Sequence, residues 1–286
     1  MKTIDVVCPI YQNLDQLERL YDALQKQVDV KIANYVFPLT LSNDEKVDGD
    51  IKRFFEDHNI VSFDVAKEDF SHSLTREKAI KEYCKSDIVV LCSQDVIFFE
   101  EHALSNIANV INDEVVYAYG RQICTNKTIE KYIRQKNYPN ESNVVSSEDI
   151  EKMQLMAFFA SDAFSALNRN VFIKINGYQG YNVMMSEDML YSKFVLDAGY
   201  KKAYVAEAQV EHSHKYTLRQ LYNRYYETGK FHKEVSLFNQ YKAEDSGFKL
   251  AMYVLGQALK HFNIPVLFRW LPDMTARYLG MRKGKK

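Results

Sequence analysis

The sequence predicts an α/β fold built on a mostly parallel central sheet. Short apolar runs such as Ile4 to Pro9 and Ile88 to Cys92 suit strands covered on both faces. Between such runs lie segments with apolar residues at helical spacing, each about 10–15 residues long, the rhythm of repeated βαβ units. The runs end in clusters of Ser, Asn and Asp, residues that turn the chain and cap helices.

Ile4 to Pro9 is the first strand. Asn13 is placed to cap a helix whose Leu14, Leu17, Leu20, Tyr21, Leu24 and Val28 share one face. Tyr35 to Leu41 gives a second strand ending in Ser42-Asn43-Asp44, followed by a helix over Val47 to His58 and a short strand at Ile60 to Phe63. A helix over Ser73 to Lys85 leads into Ile88 to Cys92, which breaks at Ser93-Gln94-Asp95 and turns apolar again at Val96. After a strand at Val115 to Tyr119, Arg121 to Met156 is polar and irregular, with a helix near Thr128 to Gln135; such an insertion shapes a substrate cleft. Phe158 to Asn168 alternates loosely and is expected to pair at the sheet edge. Ser186 is placed as the N-cap of a helix with Glu187 and Asp188 in its first turn and Gly199 at its end. A strand at Lys202 to Ala206 runs into Glu211-His212-Ser213-His214, and from Thr217 the chain is helical. The expected division is a domain over 1–215, with a nucleotide-binding half (1–120) and an acceptor half (121–215), then C-terminal helices over 216–286.

With 286 residues the chain is long enough to bury a large core, and 37 basic against 38 acidic residues give no reason to expect a nucleic-acid partner. Aromatics at 13% supply rings that suit sugar faces as well as cores. Cys8, Cys84, Cys92 and Cys124 lack metal-ligand spacing and read as reduced thiols. The first strand starts at once, so no signal peptide is expected. No apolar run reaches about 18 residues, so no membrane span is expected; Phe248 to Leu271 is interrupted by Lys260, His261, Asn263, Pro265 and Arg269. After Asp273 there are no acids, while Arg277, Arg282, Lys283, Lys285 and Lys286 are basic, and Met252, Leu255, Leu259 and Phe262 share a helix side. This pattern predicts a cytoplasmic protein touching the inner face of the plasma membrane through a basic amphipathic end. The alternative is that these helices close the main domain or form a homo-oligomer contact.

Asp95 ends a central strand, where open α/β sheets place their ligands, and could meet a diphosphate directly or through a divalent metal. Inverting glycosyl transfer from a nucleotide-sugar would use such a set. One carboxylate takes the acceptor's proton on one side of the sugar, while positive charge stabilises the leaving diphosphate on the other. Asp188 is the candidate base, kept ionised by its helix N-terminus, and Glu187 is the neighbour able to replace it. His212 and His214 could complete a metal site; imidazole suits Mn²⁺, whereas Mg²⁺ prefers oxygen. The helix start at Phe70 to Arg76 could hold phosphate through its N–H groups and Arg76. Each feature also has an ordinary structural reading: a turn aspartate, a helix cap, surface histidines, an exposed helix start.

The segments VVCPIYQN, FSHSLTREKA, LCSQDV, YGRQI, NYPNES, FFASDAFSALNRNVFIKINGY, SEDMLYSKFVLDAGYK and VEHSHKYTLRQLYNRYYETG occur in this order between Ile4 and Gly229. Together they resemble the inverting glycosyltransferases of family two, which have the GT-A fold, and are most similar to bacterial rhamnosyltransferases that build surface polysaccharide. The resemblance implies that Pro9, Tyr11 and the Asp44 region hold the base and ribose, with Arg76 and Gln94 among the donor-binding residues. Asp95 would be the metal-binding carboxylate, Asp188 the base and His212 the later metal ligand. It also implies dTDP-L-rhamnose as donor, Mg²⁺ or Mn²⁺ as cofactor and a lipid-linked glycan as acceptor. Ser93 stands where the family's Asp-x-Asp has its first Asp, a form shared by rhamnosyltransferase-like members. Ser73 stands for a usual Gly, Glu77 for an Asn, and LSNDE is a reduced second-strand motif. Another sugar donor (galactofuranose, glucose or galactose) or a catalytically silent nucleotide-sugar-binding scaffold is the alternative.

Overall fold

The computed structural model describes residues 1–242 and 246–286. Two compact units emerge. One comprises Met1–Arg121, Asn140–Glu148 and Ala160–Glu211; the other comprises Gln122–Pro139, Asp149–Phe159 and His212–Lys286. The helical unit thus gathers two segments from within the first 215 residues.

The strands are β1 (Lys2–Val7), β2 (Val30–Val36), β3 (Leu39–Thr40), β4 (Asp64–Val65), β5 (Ile88–Cys92), β6 (Val115–Ile123), β7 (Asn143–Val145), β8 (Phe164–Asn168) and β9 (Lys201–Glu211). Seven form one sheet in the order β2-β1-β5-β8-β6-β9-β7, while β3 and β4 pair separately. β1 runs parallel to β2 on one side and to β5 on the other, with Ile4 opposite Ile88 and Val7 opposite Leu91. The chain leaves β1 towards β2 and returns on the far side at β5. The crevice beyond the carboxyl ends of β1 and β5 is therefore a topological switch point, where such sheets bind ligands. β5 is buried along its whole length, as its unbroken apolar run requires.

The helices on this framework include α1 (Leu14–Gln25), α2 (Glu45–Asp57) and α3 (His72–Lys78). Asn13 caps α1 by accepting from the Gln16 N–H at 3.2 Å, and Leu17, Leu20 and Leu24 are buried beneath it. The expected strand over Tyr35 to Leu41 divides at Pro38, which has no N–H to give a ladder. The expected helix over Ser73 to Lys85 ends its α-helical part at Lys78 and continues as one wide π-helical turn over Ala79–Tyr83.

Phe158 to Asn168 departs most from expectation. β8 does not lie at the edge but pairs antiparallel with both β5 and β6 in the middle of the sheet. Its loose alternation resembled a half-exposed strand because it carries Ser165, yet that hydroxyl is buried and donates to Asp162 Oδ1 at 2.7 Å.

Further helices are α4 (Ala103–Asn109), α5 (Ile129–Asn137), α6 (Ile150–Met153), α7 (Arg169–Lys174), α8 (Glu187–Asp197), α9 (Leu218–Glu234), α10 (Ser246–Lys260) and α11 (Ile264–Gly284). Gly199, at φ +81, follows α8 as predicted. In the helical unit, Ile129, Tyr132 and Ile133 of α5 pack with Val254, Ala258 and Val266. α9 and α11 touch backbone to backbone: a Cβ on Gly280 or Gly284 would run into the carbonyls of Tyr222 and Tyr226. Arg277, counted from sequence among the basic residues of the amphipathic end, is instead buried, paired with Glu130 and bonded to the Tyr225 hydroxyl at 2.6 Å. All four cysteines are buried and free.

Candidate active site

Two turns meet at the switch point, and Gln94 ties them together. Its Oε1 accepts from the Tyr11 N–H at 3.0 Å, and its Nε2 donates to the carbonyls of Gln12 and Asn13 at 3.0 and 3.1 Å. Gln12 and Asn13 both have φ +53, so the side chain fixes a strained bend after Pro9. Gln94 is thus a brace for the β1 turn. Tyr11 leaves its ring exposed, with the Lys67 ammonium 5.7 Å from the ring centroid. Asp95 follows Gln94 in a turn closed by the Val96 N–H donating to the Ser93 carbonyl at 3.2 Å, while the Ser93 N–H donates to Ala163.

Asp44, expected near the base and ribose, caps α2: its Oδ1 accepts from the N–H groups of Lys46 and Val47 at 3.1 and 3.2 Å. That is a structural use of one carboxylate oxygen.

Arg76 does not extend towards a phosphate. It is buried and ion-paired with Glu187, and its Nη2 donates to the Asp162 carbonyl at 3.3 Å. Burial works against its charge, but Glu187 and then Asp162 outweigh it and hold the guanidinium above its usual range. Ser73 and Glu77 share this face of α3, at the i, i+3 and i+4 spacing with Arg76. The Ser73 hydroxyl donates to the Tyr181 carbonyl at 2.7 Å and accepts from the Val183 N–H at 2.9 Å; Glu77 Oε2 accepts from the Tyr178 N–H at 2.9 Å. The departures from the family motif at Ser73 and Glu77 are therefore the residues that hold the loop before α8.

Glu187, expected as a substitute base, is committed to Arg76. Ser186 does not cap α8 through its side chain; it sits at φ 66 in the left-handed region. Asp188 is half-buried, accepting from the Met189 N–H at 2.7 Å and the Asp162 N–H at 3.4 Å. Desolvation by burial, then Glu187 and Asp162, raise its carboxyl well above the ordinary aspartate range. The helix N-terminus was expected to dominate and keep it acidic; burial beside two other acids outweighs that dipole.

Asp162 and Lys202 were not singled out from sequence. The Asp162 carboxylate accepts from Tyr117 and Ser165 hydroxyls at 2.7 Å each and from the Tyr178 hydroxyl at 3.0 Å, all buried. Burial raises its pKa in spite of Arg76. A charged residue inside FFASDAF was the available signal. Lys202 is buried with its Nζ 5.6 Å from the Tyr119 ring centroid; desolvation lowers its pKa to about 7, against the pull of Asp188. Nothing in its sequence surroundings marks it.

The Ile97 and Glu211 backbones exchange N–H···O bonds of 2.8 and 2.9 Å, so β9 ends beside the Asp95 turn and the next residue is His212. His212 is buried; its Nδ1 lies 2.8 Å from Gln122 Oε1 and its Nε2 2.7 Å from His214 Nε2. Gln122 Oε1 can only accept, so Nδ1 carries the hydrogen and Nε2, facing His214, is the unprotonated nitrogen. The His214 ring stacks on Tyr216, centroids 4.9 Å apart.

No protein-family model matches the chain. It is 32% identical to the O-antigen chain rhamnosyltransferase RfbN of Salmonella typhimurium over 99% of this chain and 89% of that protein. It is 31% identical to the O-antigen chain rhamnosyltransferase WbaN of Salmonella anatum, over 100% of this chain and 90% of that one. Among solved structures it resembles the mannosyltransferase PcManGT of Pyrobaculum calidifontis in complex with GDP-Man and Mn²⁺, with TM-score 0.62 and 12% identity over 98% of this chain and 85% of that one. It also resembles S. aureus TarS 1-349 in complex with UDP-GlcNAc, with TM-score 0.55 and 11% identity over 99% and 91%. These likenesses give the fold as GT-A.

Proposed function

Because the chain belongs to the family of O-antigen chain rhamnosyltransferases, we propose that it moves L-rhamnose from dTDP-L-rhamnose onto a hydroxyl of a lipid-linked glycan, with inversion. The observation that carries the mechanism is the geometry of Asp188, which accepts from the Met189 and Asp162 N–H groups beside the buried Arg76–Glu187 pair, a setting whose burial and neighbouring acids push its carboxyl up. A carboxylate of raised basicity is a better proton acceptor for an attacking hydroxyl than an ordinary surface aspartate. Arg76, Glu187 and Asp162 are positioning residues for it. The crevice beyond β1 and β5, with Pro9, Tyr11, Gln94 and Asp95 at its lip, takes the nucleotide. On this reading residues 1–120 carry the donor and 121–215 the acceptor.

His212 and His214, whose Nε2 atoms lie 2.7 Å apart, offer imidazole nitrogens that suit a divalent cation of the Mn²⁺ type, and Asp95 is the carboxylate that the family resemblance assigns to the metal. Such an ion would neutralise charge on the departing diphosphate. The lipid-linked acceptor gives the protein a reason to work at the inner face of the plasma membrane.

Thermal shift with a panel of nucleotide-sugars, with Mn²⁺ or Mg²⁺, tests the donor: dTDP-L-rhamnose is expected to raise Tm most. A larger shift with a galactofuranose, glucose or galactose nucleotide would reassign it. Metal-dependent release of dTDP, lost in Asp188→Asn, is expected of the enzyme. Tight donor binding without turnover would make the chain a scaffold, the alternative that Ser93 at the first acidic position leaves open.

A further inference from the structure

α11 is inverted relative to a water-facing helix. Its buried positions include Asp273 and Arg277, while Ile264, Phe268, Leu271, Tyr278 and Leu279 are exposed. Ile264, Phe268, Leu271 and Tyr278 follow one another at spacings that return to one side of the helix, and Leu279 flanks them, so they form one stripe. Phe268 is 81% exposed and Phe262, in the turn before α11, is 85% exposed. α10 also turns apolar residues outward: Val254 and Ala258 are buried, yet the other side presents Phe248, Met252 and Leu259. Two neighbouring helices with apolar outer faces call for another phase to cover them.

Charge selects that phase. From Ser246 onward Asp273 is the only acid, whereas Lys249, Lys260, Arg269, Arg282, Lys283, Lys285 and Lys286 are cations besides the buried Arg277. Asp273 is itself paired with Arg269. A second copy laid face to face would crowd like charges together. An anionic lipid surface would attract them while taking up the phenyl rings. Neither helix is long and apolar enough to cross a membrane.

We infer that α10 and α11 form a two-helix platform that lies in an anionic bilayer interface, with Phe248, Phe262 and Phe268 immersed. This deepens the lipid-linked-acceptor reading above and relocates the contact. The outer faces of both helices bind, and the extreme basic end, whose Gly280 and Gly284 are built into the packing with α9, adds only charge.

The test is flotation of the full chain with phosphatidylethanolamine–phosphatidylglycerol vesicles or with phosphatidylcholine alone, beside sedimentation in lipid-free buffer. The wild type is expected to float with the anionic vesicles and to fall off as salt rises. Phe262→Ser/Phe268→Ser, which changes only exposed side chains, is expected to lose partitioning about tenfold or more and to keep its Tm. Its dTDP release from free donor should be unchanged, which separates failure of this proposal from failure of the glycosyltransferase reading. Equal flotation of wild type and variant would overturn it. So would a wild type that ignores vesicles, including one that forms a dimer dissolved by the same substitutions.

Discussion

Arg76 and Glu187, 111 residues apart in the chain, meet as a buried ion pair that fixes the first turn of α8 against α3. Breaking such a pair by removing one partner strands a charge in a poorly solvated site, at a cost of about 3–5 kcal/mol. Arg76→Met and Glu187→Gln are each expected to lower Tm and kcat while leaving the donor KM near its starting value. Arg76→Met/Glu187→Met is expected to regain part of the lost stability. Denaturant titration and steady-state kinetics read both effects. A large rise in donor KM with stability intact would instead return Arg76 to the phosphate.

Asp188→Asn should abolish most transfer, a kcat loss of about 10²–10⁴, yet it should stabilise the fold at neutral pH. The carboxyl's pKa is raised in the folded state, so its contribution to stability is present below the unfolded value and is lost as pH rises. Wild-type Tm is therefore expected to drop relative to the variant on going from about pH 4 towards neutrality. A pH series of melting curves for the two proteins checks the sign.

Lys202 gives a second pH signature. Its folded pKa is about 7, below the unfolded value, so between these the unfolded chain holds the extra proton and stability rises with pH. Lys202→Met is expected to flatten that slope. Melting curves from neutral to about pH 10 show it, and an unchanged slope would mean the ammonium stays charged.

His212 owes its tautomer to Gln122, whose Oε1 holds the Nδ1 hydrogen and leaves Nε2 unprotonated. Gln122→Leu is expected to raise the Mn²⁺ concentration for half-maximal activity about 10–100-fold, with Asp95→Asn at least as damaging. Chelation should silence the wild type and added Mn²⁺ should restore it.

Local patterns were readable in advance. The apolar run of β5, the Asn13 cap, the glycine after α8 and the turns bearing Asp95 and Asp188 all follow from neighbours in sequence. What stayed hidden is set by distant residues. Ser73, Arg76 and Glu77 look like an exposed helix start until the loop over Tyr178 to Glu187 closes on them. Asp188 sits where a helix dipole acts, but its proton affinity depends on Asp162 and Glu187, and Asp162 is not its neighbour in the chain. Asp44 caps α2 with one carboxylate oxygen, a use its sequence neighbours also suit, and Ser186 stands at the N-cap of α8 without the side-chain hydrogen bond expected of it.

The placement of β8 bears on biogenesis. β5 and β6 are both synthesised before the strand that separates them, so a nascent chain that has not reached Phe164 carries two hydrophobic strand edges with nothing between. Exposed edges of that kind invite intermolecular pairing, and closing them late demands long-range search. Because Asp162 lies just ahead of the inserting strand, the event that seals the sheet also places the first member of the acid cluster, and Glu187 and Asp188 follow with α8. An emerging polypeptide is therefore sticky until Phe164 to Asn168 arrives and inert until α8 does.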